Sequence, residues 1–228
     1  MLFDLHVHTK EGSPCAHSPA RRIVNCYKEK GFDGIVITDH VSRWYMENCH
    51  KLSYEDYCKY NYEVYLEAKD EGDKIGLKVL HGCEYKLDST FNNDYLVYGV
   101  TYEFLTENPE LFKLSLPQFK EHCDKHNVVC YQAHPFRDYA SVMSPNYLHG
   151  IEVINGTHIQ DHSFRNEIAS IWADKYKLHK IAGSDCHIEE SVGLAGVKFK
   201  TEIKDNNDLV KALKEDNYYI VSSLAHTV

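Results

Sequence analysis

Seven short apolar runs, most of them separated by amphipathic segments of helical length, set the strongest limit on how this chain can fold. The runs cover residues 2–8, 34–38, 78–84, 95–100, 128–133, 150–154 and 180–183. Alternation of strand and helix implies parallel neighbours, because parallel strands need a crossover connection. Seven core strands exceed what a small open sheet needs and match a closed β/α barrel, which gathers the C-terminal ends of its strands on one face. The helix signals agree with this reading. Ser18 before Pro19 predicts a helix start, and Gly31 its stop. Ser53 opens a long helix through Lys74, Ser115 and Gln118 form a capping box, Asp161 caps a helix through Tyr176, and Asp205 or Asn206 caps one through Glu215. The last run, residues 218–222, reads as a closing or edge strand.

No Pro- or Ser-rich linker, low-complexity tract or repeat interrupts the 228 residues, so residues 1–228 are read as a single α/β domain. The formal net charge of −9 argues against a surface for long nucleic acids, which needs clustered Lys and Arg. It leaves a phosphorylated small molecule open, since bound cations outweigh the protein's overall sign within a site. The start, MLFDLHVHT, has neither a basic stretch nor a long apolar run, so a cytoplasmic protein without a membrane span is expected. Eight cysteines form no CxxC pair and read mostly as small buried hydrophobes. The unusual count is histidine, at 15.

Those histidines, together with Asp and Glu, fall at the ends of the predicted strands. His6 and His8 end the first, Asp39 and His40 follow the second, and Glu84 ends the third. Asp94 lies at the start of the fourth, His134 ends the fifth, and Asp185 and His187 end the last. His6 and His8, two residues apart, share one side of a strand. A mixed shell of imidazole and carboxylate suits Zn, Mn or Fe better than Mg or Ca. An HxH pair alone is weak; ligand-type residues recurring at five strand ends on one predicted face point to a multinuclear metal site.

In order along the chain, DLHVHT, ITDH (residues 37–40), GCE (82–84), AHPF (133–136) and GSDCH (183–187) resemble the motifs of the PHP (polymerase and histidinol phosphatase) superfamily of metal-dependent phosphoesterases. The resemblance spans Asp4 to about Phe199. It implies a distorted (β/α)7 barrel of PHP type holding two to three divalent ions. It also implies a grouping: His6, His8, Glu84 and Asp185 for one metal, His17, His40 and His187 for a second, and Glu84 with His134 for a third. Many relatives open the fourth strand with histidine where this chain has Asp94, a substitution that shifts preference toward harder metals. Residues 42–53 lack a family template and are expected to form a substrate-facing loop.

The implied reaction is hydrolysis of a small phosphate monoester by a metal-activated water. Arg137, three residues past His134, is the expected phosphate anchor, because guanidinium meets phosphate in a bidentate way. Arg43 is a second candidate, and Asn155 could contact substrate or a ligand. Asp39 is expected to serve catalysis by orienting an imidazole through its other N–H; Asp4 could do the same or sit at the strand's buried side. His81 is expected on the opposite strand face. His50, His122, His126, His149, His158, His162, His179 and His226 are read as solvated or locally bonded, and Cys186 as packing. Competing readings are a phosphodiesterase or exonuclease for short oligonucleotides or nucleoside bisphosphates, a catalytically silent metal-binding regulatory domain, and an amidohydrolase. The last usually needs a bridging lysine and eight strands, neither apparent here.

Overall fold

The computed structural model describes residues 1–90, 92–109 and 111–223. Its strands are β1 (Leu2–Val7), β2 (Gly34–Ile37), β3 (His40–Val41), β4 (Lys78–Tyr85), β5 (Tyr95–Tyr98), β6 (Val129–Gln132), β7 (Gly150–Asn155), β8 (His179–Gly183), β9 (Ala195–Phe199) and β10 (Tyr218–Ser222). The helices are α1 (Ala20–Glu29), α2 (Tyr54–Ile75), α3 (Tyr102–Thr106), α4 (Leu116–Lys125), α5 (Gly156–Gln160), α6 (Arg165–Tyr176) and α7 (Asn206–Lys214), with a π-helical segment at Tyr45–His50. Among the described residues no helix is long and apolar enough to cross a membrane.

The strands form one sheet in the order β10-β9-β1-β2-β4-β5-β6-β7-β8. A parallel bridge between Val7 and Cys186 brings the end of β8 back to β1, so the seven strands expected from the sequence curl into a nearly closed barrel. Gly183 permits that approach, since a Cβ there would stand 2.3 Å from the Cβ of His6. Leu5, Val36, Leu80, Leu96, Tyr98, Val129, Tyr131 and Ile181 pack together as the barrel's apolar filling. Outside it, Ile23, Val24 and Tyr27 of α1 pack with Ile35, Ile37 and Val79. Tyr57, Phe104 and Phe119 from α2, α3 and α4 pack with Cys83, Val97, Cys130 and Ile151.

Strand direction departs from the expected all-parallel sheet, because β5 runs antiparallel to both β4 and β6. Residues 86–94 join β4 to β5 with no helix among those described, which suits a reversal and not a crossover. Tyr95, at the start of β5, therefore pairs with Tyr85 at the end of β4. Two strands lay outside the expectation: two-residue β3, and β9, which pairs antiparallel with β1 and with the edge strand β10.

Most helix ends follow their signals. Ser53 accepts from the N–H of Asp56, Ser115 and Gln118 form the capping box, and Asp205 accepts from Asn207 and Asp208. Pro19 takes the cap position expected of Ser18, with the next N–H, of Ala20, donated to Glu11. Asp161 does not open a long helix. It closes α5 and accepts from the Ser163 N–H, and α6 begins at Arg165.

Candidate metal centre

The barrel rim gathers the predicted ligands. Ligand atoms of His8, His40 and His187 lie within 4.8 Å of one another. The same holds for His6, Glu84 and His134, for His6, His8 and Asp185, and for His40, Glu84 and Asp94. The reversal of β5 explains how Asp94, which precedes its strand, reaches a rim the other ligands reach by following theirs. Asp94 also pairs with Lys86 at 3.0 Å. His17 enters none of these groups among the described residues. It is exposed, and its N–H donates to the carbonyl of His187 at 2.9 Å.

Local backbone aims the side chains. The β1–β2 register shifts between Asp4 and Val7, as a bulge produces. Asp4 therefore meets Tyr27 of α1 (2.7 Å) and the Ser184 N–H (2.9 Å), whereas His6 faces the centre. His134 and Asp185 adopt positive φ, 28° and 54°, conformations that non-glycine residues hold only where surrounding contacts impose them.

Outer partners decide which nitrogen each imidazole offers. His6 Nδ1 donates to Glu152 Oε1 at 2.9 Å. Ser13 Oγ donates to Asp39 Oδ1 at 2.6 Å, so it accepts from His8 Nδ1 at 3.1 Å. Both Nε2 atoms then carry lone pairs. They stand 3.1 Å apart and 3.2–3.5 Å from Glu84 Oε2 and Asp185 Oδ1. Asp185 Oδ1 is buried with no hydrogen-bond partner. Converging lone pairs with an orphaned carboxylate oxygen fit divalent cations bound through mixed N/O donors.

The ionisation tendencies express the same crowding. Burial pushes His8 down, but the Asp185 and Glu84 carboxylates, as acceptors facing its ring, win and raise it to about 9. His6 also ends well above its ordinary value, with Asp185, Glu152 and Glu84 overriding burial. His40 and His187 go the other way, burial taking them to about 3 and about 4. Burial opposes ionisation of Glu84 and Asp185, yet the neighbouring imidazoles hold both well below the carboxylate range. Asp94 is raised by burial and by Glu84, and Asp39 by burial.

The remaining candidates divide. Arg137 lies on the centre, with Nη2 2.6 Å from Asp185 Oδ2 and Nη1 3.2 Å from His134 Nε2. Asn155 acts as a brace, donating to Glu152 (2.9 Å) and Asp185 (3.3 Å) while accepting from Thr157. Arg43 pairs with Asp88 at 2.8 Å and lies over the Phe112 ring. Residues 42–53 do border the centre: Tyr45 stacks on His40, and exposed Trp44 packs edge-on against Tyr45. His81 packs against Tyr62 and Tyr65, Cys186 lies in the core beside Val7 and Ile23, and His158 and His162 line a cavity of about 630 Å³ that includes no ligand. His226 lies outside the described residues.

Sequence reasoning missed Glu152. Fully buried on β7, it holds His6, the His134 N–H (2.9 Å) and Asn155. A lone glutamate inside the apolar run of residues 150–154 was the available signal.

A family model described as PHP-associated matches residues 164–218. No curated protein matches the chain. Among solved structures, it is similar to a two-domain protein from Bacteroides vulgatus containing a predicted PHP-like metal-dependent phosphoesterase, with TM-score 0.69 and 17% identity over 97% of this chain. The chain spans 64% of that protein's length. PsfC from Pseudomonas syringae aligns with TM-score 0.65 and 14% identity, covering 97% of this chain and 91% of its own. The lesion-specific endonuclease PfuEndoQ from Pyrococcus furiosus aligns with TM-score 0.57 and 16% identity, covering 96% and 57%. The chain has the fold of the PHP superfamily, and over residues 164–218 it matches the PHP-associated family.

Proposed function

We propose that this chain is a metal-dependent hydrolase of phosphate esters, and that its substrate is a small phosphate monoester. The observation that carries the reading is Arg137, a guanidinium bonded to Asp185 and His134 with 39% of its side chain in solvent. It offers positive charge at the rim beside four overlapping ligand groups. His6, His8, His40, Glu84, Asp94, His134, Asp185 and His187 would hold two to three ions of Mn, Zn or Fe. Such ions polarise phosphoryl oxygens and lower the pKa of water toward neutrality.

The chain's own residues do the rest. Glu152 and the Ser13–Asp39 pair keep Nδ1 of His6 and His8 protonated and Nε2 free. Arg137 donates to phosphate oxygens; Asn155 keeps its partner Asp185 in place, and Thr157 Oγ1 accepts from Arg137 itself. The acidic charge favours a small substrate over a polynucleotide. A cytoplasmic location fits the eight free cysteines.

The test is metal analysis of purified protein followed by assay of an aryl phosphate monoester and a bis-aryl diester. The expectation is roughly two to three ions per chain, monoester turnover, and loss of both in His8→Ala. Faster diester hydrolysis would favour a phosphodiesterase. Bound metal without turnover of either ester would favour a silent binding domain, and a folded protein that takes up no metal would sink the proposal.

A further inference from the structure

The loop between β1 and α1 turns residue 17 outward and residue 15 inward. Hydrogen bonds from Lys10 N–H to Ser18 O, Ser13 to Thr9, Ala16 to Ser13 and His17 to His187 hold it in that shape. The side chain it presents to the centre is Cys15, whose Sγ lies 3.2 Å from His187 Nε2. His187 Nδ1 donates to the Asp185 carbonyl at 2.9 Å, so the Nε2 lone pair is the one facing sulfur. Cys15 also shares a hydrogen bond with Tyr45, whose ring stacks on His40 at 4.9 Å. The thiol thus lies against His187 of the His8–His40–His187 triad, with Tyr45 next to it on His40.

Two further observations bear on what occupies that place. Three imidazoles are one protein ligand short of a closed tetrahedral site. The buried, unpartnered Asp185 Oδ1 lies 3.3 Å from His8 Nε2, whose lone pair it faces, pointing to a cation beside that member of the triad. Neighbouring thiols are placed differently. Cys186 reaches the Ile188 carbonyl and Cys26 reaches Glu189.

We infer that Cys15 is a thiolate ligand of the ion held by His8, His40 and His187, in the position the family resemblance assigned to His17. The inference rests on the metal centre of the proposed function and gives its two ends different preferences. Sulfur with three imidazoles selects a soft ion such as zinc, while Glu84 and Asp94 suit a harder one. Binding releases the thiol proton to solvent.

Cobalt(II) loading tests this without reference to activity. Cobalt-loaded protein is expected to show a sulfur-to-cobalt charge-transfer band in the near ultraviolet. Cys15→Ser should lose that band and keep the weaker visible bands of imidazole-bound cobalt. In the unsubstituted protein, cobalt or zinc should shield Cys15 from alkylation, mapped by mass spectrometry, while exposed Cys49 reacts equally with and without metal. Cobalt bound without the band, a band that survives in Cys15→Ser, or equal labelling of Cys15 in both states would overturn the thiolate and leave the metal centre standing. Protein that binds no cobalt would overturn both. Should Cys15→Ser fail to fold, the labelling comparison decides alone.

Discussion

Burial lowers all four histidines at the heart of the centre, yet it decides only two of them. His40 and His187, partly open at one end, fall to about 3 and about 4. His6 and His8, with no exposed side-chain surface, are raised, His8 to about 9, because Asp185, Glu84 and, for His6, Glu152 surround them. Depth is therefore not what separates the two ends; carboxylate density is. At the carboxylate end, converging lone pairs bind protons when no cation is present. The imidazole end offers neutral nitrogens at any pH near neutrality.

Glu84 joins the two ends, contacting His40 Nδ1 at 3.0 Å and His134 Nε2 at 2.8 Å, so its loss should have the largest effect. Glu84→Gln is expected to lose metal at both ends, by more than the roughly 10–100-fold typical of outer partners. Hydrolysis should be undetectable. Two ions per chain retained in this variant would show that the ends are independent.

Removing one end alone is the next test. His187→Ala should drop one metal equivalent and leave the ion among His6, Glu84, His134 and Asp185, as read by titration with a chelator-buffered metal. Glu152→Gln works in reverse, weakening metal about 10–100-fold at the His6 end by releasing its Nδ1. An equal loss at both ends would break the proposed division.

Acidity separates the ends further. Metal must displace a proton from His8 below about pH 9, so affinity at the carboxylate end should climb from neutral pH toward about 9 and then level off. His40 and His187 add little to such a climb near neutrality, because those nitrogens shed their protons at about 3 and about 4; at their end any climb comes from His8 and from the Cys15 thiol, which burial raises. Chelator-stripped protein should show the opposite trend in stability. The protonated His8, raised from 6.5, contributes fully below pH 6.5, and the contribution is lost as pH rises through about 9. Denaturant melts of stripped His8→Asn should lack that component.

The smallest effect is expected for Arg43→Ala. Its exposed pairing with Asp88 is of the kind worth about 0–1 kcal/mol and its place over the Phe112 ring of the kind worth about 0.5–1 kcal/mol, so turnover should stay unchanged and stability should fall by about 2 kcal/mol at most. A large rise in KM would return Arg43 to the substrate site.

Much of the barrel was legible because period-two apolar runs bounded by helix signals survive any tertiary arrangement. The candidate ligands were legible for a related reason: imidazole and carboxylate recur at the strand ends, and the barrel gathers them on one rim. The less legible features depend on geometry. Asp4 and His6 have the same parity, and a bulge alone sends one to α1 and the other to the centre. Asp94 precedes its strand, and its arrival at the rim requires the antiparallel course of β5. His17 is the more obvious ligand by residue type, but loop hydrogen bonds turn it to solvent and place Cys15 against His187.

The sequence by itself determined the alternation of strands and helices, the kinds of donor atom available and the strands that carry them. These are properties of single residues and short periods. Chain direction at β5, register at β1 and the aim of each imidazole were decided by tertiary structure. The first two depend on which strands pair, and the last on which distant groups, Glu152 on β7 or Asp39 after β2, come within hydrogen-bonding distance once the barrel closes.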